Sequence, residues 1–171
     1  RSQRQKTNPG GMRLNAFASE FCFMARILIV DDSPSDQKMA GAFLKKHLNA
    51  DVSYAIDGID ALKKCEERPP ELVLTDMQMP KMDGLELVAQ VKEKHPIIPV
   101  VLMTAAGSEE IAVKAIAAGA ASYVSKRRLA HDLCDTVARV LEISAEQRTQ
   151  FRVLLRQIRW EVELVVENDI N

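Results

Sequence analysis

Apolar runs of strand length alternate with segments of helical period from Arg26 onwards, five times over. The runs at 27–30 and 100–103 are apolar throughout, which is typical of strands covered on both faces. This alternation predicts an α/β fold in which a five-stranded parallel sheet lies between two layers of helices. The predicted strands lie at 26–30, 51–55, 71–75, 98–103 and 121–125.

Capping and turn residues predict where the helices begin and end. Ser33 and Pro34 indicate the start of the first helix, since a capping hydroxyl is followed by proline at the first helical position. The Asp83-Gly84 pair predicts the turn into the third helix, and Pro96 ends that helix.

The C-terminal segment carries two conflicting patterns. Ser144 and Gln147 have the spacing of a capping box, which favours a break and a new helix near Ser144. An apolar stripe follows, and its members are Phe151, Leu154, Leu155 and Ile158. A heptad-like spacing that starts at Leu133 instead permits one continuous helix. Residues 160–167 alternate between polar and apolar side chains, which predicts a strand-like tail.

Composition narrows the classes of function. A chain of 171 residues with 47% hydrophobic residues can form one ordinary domain with extensions. A net charge of -1 indicates no nucleic-acid partner, and no apolar stretch approaches the roughly 20 residues that span a bilayer. Cys22, Cys65 and Cys134 have no spacing typical of disulfide frameworks or zinc sites, so the cytoplasm is the expected compartment.

Acidic side chains follow two of the predicted strands. Asp31 and Asp32 come after the first strand, and Asp76 comes after the third. Because ligand sites in open parallel sheets lie beyond the carboxyl ends of the strands, we expect these groups to meet. Unit charges about 4 Å apart repel by roughly 4 kcal/mol at an effective dielectric constant of 20, so the cluster needs a cation. Thr104 and Lys126 follow the fourth and fifth strands, and the combined set predicts a phosphoryl-transfer site.

These residues resemble the receiver domain of bacterial two-component response regulators. The resemblance runs from about Ala25 to Ile143 and includes the string Asp-Met-x-Met-Pro-x-Met-Asp-Gly at 76–84. It also includes the Asp31-Asp32 pair, Thr104-Ala105, and Tyr123 three residues before Lys126. The resemblance implies a doubly wound, flavodoxin-like sheet with strand order 2-1-3-4-5.

By resemblance, Asp76 is the phosphoacceptor and Mg²⁺ is the cofactor. The family pattern assigns the ion to Asp31, Asp32 and Asp76, together with the backbone carbonyl of Gln78. A carboxylate nucleophile of this kind forms an acyl phosphate and needs no general base.

The same resemblance assigns Lys126 and Thr104 to the phosphoryl group. Thr104 and Tyr123 are expected to form the switch that changes the face made by the fourth helix, fifth strand and fifth helix. Most receivers have proline after the lysine, but Arg127 stands there in this chain. A trans peptide bond is therefore predicted at that position.

The expected function is a response regulator in a phosphorelay, a signalling switch that catalyses only its own phosphorylation and dephosphorylation. Its expected partners are a sensor histidine kinase or phosphotransfer protein and a downstream output domain or protein. One alternative is a phosphatase of the haloacid dehalogenase type, but that family needs an Asp-x-Asp arrangement, which Asp31-Asp32-Ser33 lacks. A phosphorylation-independent interaction domain is the other alternative, and the complete set of site residues disfavours it.

Three regions are expected along the chain. Residues 1–23 are predicted to be a flexible N-terminal extension or tag, because the domain pattern begins abruptly at Met24. Residues 24–143 form the receiver domain. Residues 144–171 are predicted to be a linker helix with the start of an output domain, and to associate with a second copy or with that output domain. The last residues faintly resemble the opening strand of an anti-sigma-type ATPase domain.

Overall fold

The computed structural model of the protein describes residues 24–105 and 109–168. The predicted N-terminal extension at 1–23, which includes Cys22, lies outside the described residues. The strands are β1 Arg26–Val30, β2 Asp51–Ala55, β3 Leu72–Asp76, β4 Val100–Thr104 and β5 Ser122–Ser125. The helices are α1 Pro34–Leu48, α2 Gly58–Glu67, α3 Gly84–Lys94, α4 Glu109–Ala117 and α5 Leu129–Asn168, and a 3₁₀ turn at Lys126–Arg128 precedes α5.

The five strands form one parallel sheet in the order β2-β1-β3-β4-β5. Alternate side chains of β1, β3 and β4 enter two separate hydrophobic cores, as Leu28 and Ile29 of β1 illustrate. Helices α2, α3 and α4 cover one face of the sheet, while α1 and α5 cover the other. The predicted three-layer sandwich and its 2-1-3-4-5 strand order are confirmed.

Side-chain caps fix where α1 and α3 begin. The Asp36 amide donates to Ser33 Oγ over 3.4 Å, and Pro34 occupies the first position of α1, as the sequence predicts. At α3, Asp83 and Glu86 form a reciprocal capping box, with the Glu86 amide 2.8 Å from Asp83 Oδ1. These caps leave the first turn of each helix at the carboxyl edge of the sheet.

Helix α5 is one continuous helix of 40 residues, from Leu129 to Asn168. The predictions of a break near Ser144 and of a strand-like tail at 160–167 are therefore wrong, and the continuous-helix alternative is correct. Ser144 is only 6% exposed and packs against the domain instead of capping a new helix. Once a helix is nucleated, each further residue adds a hydrogen bond, whereas a strand without a partner leaves its amides and carbonyls unpaired.

The helix leaves the domain after Arg148, whose guanidinium lies 3.8 Å from the carboxylate of Glu71. The side chains of residues 149–159 are all exposed. They include the apolar stripe of Phe151, Leu154, Leu155 and Ile158, with exposed fractions of 47 to 53%. None of the helices in the described part of the chain is long and apolar enough to span a bilayer.

Candidate functional site

Three carboxylates meet at the carboxyl edge of the sheet. Asp76 is the last residue of β3, and Asp31 and Asp32 follow the adjacent strand β1. Asp31 is fully buried and Asp76 is 7% exposed, whereas Asp32 lies at the surface. One oxygen from each carboxylate lies within 4.8 Å of the others. The structure thus brings together the three acids that the strand pattern selected.

Lys126 reaches this cluster from the end of β5. Its Nζ lies 2.8 Å from Asp31 Oδ2, 2.9 Å from Asp76 Oδ1 and 2.9 Å from Asp36 Oδ2. Burial alone disfavours the charged ammonium, but hydrogen bonds to the three carboxylates outweigh it and raise the pKa of Lys126. An ammonium has three donors, and here each of them has a carboxylate partner.

Asp36 is a member of the site that sequence reasoning missed. It lies in the first turn of α1, where an acidic residue is ordinarily attributed to the helix dipole. Its position in the sequence could have indicated this role. Because α1 starts at Pro34, soon after β1 ends, residue 36 lies in the first helical turn next to the end of that strand. Only the packed structure shows that its carboxylate meets Lys126.

The Asp31 carboxylate is held from two sides. Its Oδ1 accepts the Ser33 amide over 2.8 Å, and its Oδ2 accepts from Lys126. Burial raises the pKa of Asp31, and these two hydrogen bonds only partly offset that effect. The Asp31 backbone is also fixed, because Gln37 Nε2 donates to the carbonyls of Asp31 and Ala55 over 2.7 and 2.8 Å.

The loop between β3 and α3 folds back over Asp76. The Gln78 amide donates to Asp76 Oδ2 over 3.1 Å, and Gln78 and Asp32 both line an open depression. The assignment of the Gln78 carbonyl as a metal ligand stays a prediction.

Lys81, which has a left-handed φ of 71°, anchors the far side of this loop through Asp57. Its Nζ lies 2.8 Å from Asp57 Oδ2. The Asp60 amide and Lys81 lower the pKa of Asp57, and Asp57 raises the pKa of Lys81. This ion pair joins the β3–α3 loop to the start of α2, a contact that the sequence did not reveal.

Thr104 and Tyr123 occupy different environments. Thr104 ends β4 beside Ser125 and is 3% exposed, one residue beyond the strand neighbour of Asp76. It therefore lies at the same sheet edge as the acids. Tyr123 on β5 is 39% exposed and pairs with Leu102 of β4, two residues before Thr104. No cis peptide bond occurs in the described residues, which confirms the trans bond predicted after Lys126.

The donor set suits a hard divalent cation. All three groups supply carboxylate oxygens, and Mg²⁺ in proteins is usually bound by one or two carboxylates with water and phosphate. The engaged oxygens of Asp31 and Asp76 each retain acceptor capacity, because a carboxylate has about four lone-pair sites. A nucleophile, a cation site and an ammonium within one cluster can perform phosphoryl transfer to Asp76.

Comparisons with known proteins all indicate the same family. The model of the response regulator receiver domain matches residues 27–138. The chain is 38% identical over 124 residues to the transcriptional regulatory protein ZraR of Salmonella typhimurium, covering 70% of this chain and 28% of that protein. It is 37% identical over 103 residues to the chemotaxis protein CheY of Listeria monocytogenes, covering 60% of this chain and 87% of that protein.

Solved structures show the same fold. The receiver domain of NtrX from Brucella abortus superposes with a TM-score of 0.64 at 33% identity, covering 68% of this chain and 98% of that one. A longer NtrX structure gives a TM-score of 0.70 at 32% identity, and there the match covers 75% of this chain and 29% of that one. The chain thus spans less than a third of the length of the larger regulators that it matches.

Proposed function

The chain belongs to the family of response regulator receiver domains, and from this premise we propose that it is a phosphorylation switch whose phosphoacceptor is Asp76. One observation carries the assignment. Asp76 Oδ1 lies 2.9 Å from Lys126 Nζ, and the same carboxylate belongs to the cluster with Asp31 and Asp32. Asp31 also contacts the ammonium and belongs to this cluster, but it is fully buried, whereas Asp76 is 7% exposed and ends the middle strand of the sheet.

In the proposed reaction, a carboxylate oxygen of Asp76 attacks the phosphorus of a phosphohistidine. A new O–P bond forms, the P–N bond breaks, and the imidazole leaves with the electron pair of that bond. Water later attacks the phosphorus, which releases inorganic phosphate and restores the carboxylate. Because a carboxylate is already deprotonated, no side chain of this protein has to act as a general base in the first step.

We assign Mg²⁺ as the cofactor, held by the carboxylates of Asp31, Asp32 and Asp76 and by the backbone carbonyl of Gln78. When bound, the ion neutralises charge on the phosphoryl oxygens. Lys126 supplies a second positive charge next to Asp76. Its ammonium is already within hydrogen-bond distance of the nucleophile, which places it to pair with a phosphoryl oxygen.

The readout of the switch is proposed to involve Thr104 and Tyr123. The buried Thr104 hydroxyl can donate to a phosphoryl oxygen, and Tyr123 is sufficiently exposed to move inward as the threonine shifts. This exchange would change the face formed by α4, β5 and α5. It is a two-state rearrangement of the kind that ligand and phosphorylation switches use.

The proposed phosphodonor is a sensor histidine kinase or a phosphotransfer protein, and the proposed recipient of the signal is an output domain or protein. Family membership supports this function over a phosphatase of the haloacid dehalogenase type, whose Asp-x-Asp arrangement is absent after β1. We propose residues 24–143 as the receiver domain. Residues 144–171 are proposed to connect it to further sequence, and α5 continues across that boundary.

We further propose that the exposed part of α5 pairs with a second copy of the chain in antiparallel orientation. The apolar stripe lacks cover within the described chain. The sequence around it is divided by charge: Arg148, Arg152, Arg156 and Arg159 precede Glu161, Glu163 and Glu167. An antiparallel pair places the basic half of each helix against the acidic half of the other, whereas a parallel pair opposes like charges.

The phosphoacceptor is tested by incubating the full chain with acetyl phosphate and Mg²⁺ and measuring its intact mass. We expect one added phosphoryl group on the unmodified protein and none on Asp76→Asn, because an amide is a poor nucleophile. Asp57→Asn is the matched control: it alters another buried aspartate with a lysine partner, the residue that caps α2, and it should still be phosphorylated. A phosphoryl group retained by Asp76→Asn would exclude Asp76 as the acceptor.

A further inference from the structure

The Lys126 ammonium is bound by more carboxylates than the phosphorylation site needs. Two of its partners, Asp31 and Asp76, belong to the cluster that can hold a divalent cation. The third, Asp36, lies on α1 and is not in that cluster. Its Oδ2 is nevertheless as close to Nζ as Asp76 Oδ1 is, 2.9 Å in both cases.

Resting on the proposed function, we propose that Asp36 is a positioning residue that shares the Lys126 ammonium with the metal-binding carboxylates and must release it to the incoming phosphoryl group. Cations compete for the same oxygens, so an ammonium on Asp31 and Asp76 opposes a divalent cation there. Asp36 holds one of the three donors of that ammonium outside the cation cluster. Its charge thereby weakens the hold of Lys126 on Asp31 and Asp76, whose remaining lone pairs would accept the cation.

The same contact has the opposite effect on the phosphoryl group. A phosphoryl oxygen must attract the ammonium in competition with Asp36, and the Asp36 charge itself repels an anion. Asp36 is well placed for both effects: its side chain is 34% exposed, and its amide is fixed by the cap at Ser33. A residue at the first turn of a helix can hold Lys126 without taking part in the chemistry at Asp76.

The test is a pair of binding measurements on the full chain, with Mg²⁺ alone and then with beryllofluoride, a phosphoryl mimic, at saturating Mg²⁺. For Asp36→Asn we expect Mg²⁺ affinity to fall and beryllofluoride affinity to rise, each by about three- to tenfold. Asparagine keeps the size of the side chain and removes its charge. A merely structural role would weaken both affinities together, so the opposite signs are the diagnostic result.

Asp60→Asn is the matched control. Asp60 occupies the same position in the first turn of α2, its amide donates to the capping residue Asp57, and its carboxylate lies 2.7 Å from Lys64. The Asp60→Asn substitution should leave the affinities for Mg²⁺ and for beryllofluoride unchanged. Asp36→Glu, which restores the charge, should return both affinities towards those of the unmodified chain.

The two proposals fail in distinguishable ways. If the unmodified chain binds neither Mg²⁺ nor beryllofluoride, the proposed function itself is wrong. If it binds both and Asp36→Asn changes neither affinity, or moves both in the same direction, only the role of Asp36 is overturned.

Discussion

Among the single residues of the site, the two neighbouring acids Asp31 and Asp32 have different environments. Asp31 is fully buried and its carboxylate is already held by Lys126 and the Ser33 amide. Asp32 is exposed, lies beside Gln78 in the open depression, and is not a partner of Lys126. Asp32 is therefore the carboxylate that a cation can engage with the least rearrangement.

We predict that Asp32→Ala lowers the Mg²⁺ affinity of the unphosphorylated protein by about tenfold or more, because one of few carboxylate ligands is lost. Isothermal titration calorimetry measures this directly. His131→Ala, at an exposed position of α5, is the control and should leave the affinity unchanged. Equal affinities for Asp32→Ala and the unmodified chain would mean that the cation binds elsewhere.

Five residues of the candidate site were predictable because each lies at or just after the end of a strand, and parallel strands end at one edge of a sheet: Asp31, Asp32, Asp76, Thr104 and Lys126. Asp36 and the Lys81–Asp57 pair were not predictable in this way. They lie in helix turns and loops, where the approach of two side chains depends on how separate elements pack. The periodicity of apolar residues indicates which residues form one helix or strand. It does not indicate which side chains of two different elements come into contact.

At the scale of elements, the junction between β3 and α3 leaves no space for a side chain at Gly84. A Cβ atom on Gly84, the first residue of α3, would meet the Asp76 carbonyl oxygen and the Met77 Cα, which are backbone atoms. The Gly84 amide donates to the Met77 carbonyl over 2.9 Å. Glycine at this position lets the helix start directly against the end of the strand that carries Asp76.

We predict that Gly84→Ala destabilises the protein by about 2 kcal/mol or more, since backbone must move to accept the methyl group. Gly58→Ala is the matched control at the first residue of α2. There the three nearest atoms are Sδ, Cγ and Cβ of the Met82 side chain, which must repack without a clash between backbone atoms, so the cost should be smaller than at Gly84. Urea unfolding of both variants gives the comparison, and equal losses would contradict the backbone explanation.

The strands β1, β3 and β4 were predictable from sequence because burial on both faces makes them largely apolar. The bounds of β1 and of the edge strand β2 are those that the pattern indicated. The continuity of α5 was not predictable in the same way. The capping box at Ser144 is a local signal, and the packing of Ser144 against the domain opposes it. A local hydrogen bond worth about 1 kcal/mol does not decide between a break and a helix that is already packed.

At the scale of the whole molecule, α5 exposes four large apolar side chains in one stripe. Phe151, Leu154, Leu155 and Ile158 each gain roughly 1.5 to 3 kcal/mol on full burial, so burying them against a second helix would be favourable. The helix remains attached to the domain up to Arg148. A chain that ends at Thr149 keeps these contacts and loses the stripe.

We predict that the chain ending at Thr149 remains folded and phosphorylatable but is monomeric in light scattering, whereas the full chain is dimeric. Reversing charge with Arg152→Glu and Arg156→Glu should weaken an antiparallel dimer, because it sets acid against acid. In a parallel dimer the same change would replace arginine facing arginine by glutamate facing glutamate, so the strength of association should change little. A shortened chain as associated as the full one would exclude the helix as the interface.

The distance from Lys126 to the start of α5 has a mechanical consequence. Only the turn at Lys126–Arg128 separates the ammonium that contacts Asp76 from the first residue of a 40-residue helix. Such a helix is about 60 Å long at roughly 1.5 Å per residue. Residues up to Arg148 pack on the domain, so a tilt acts on the exposed part of about 30 Å, and a tilt of about 5° would displace its far end by about 3 Å. The exposed part of the helix would thus work as a lever that amplifies small shifts at the site.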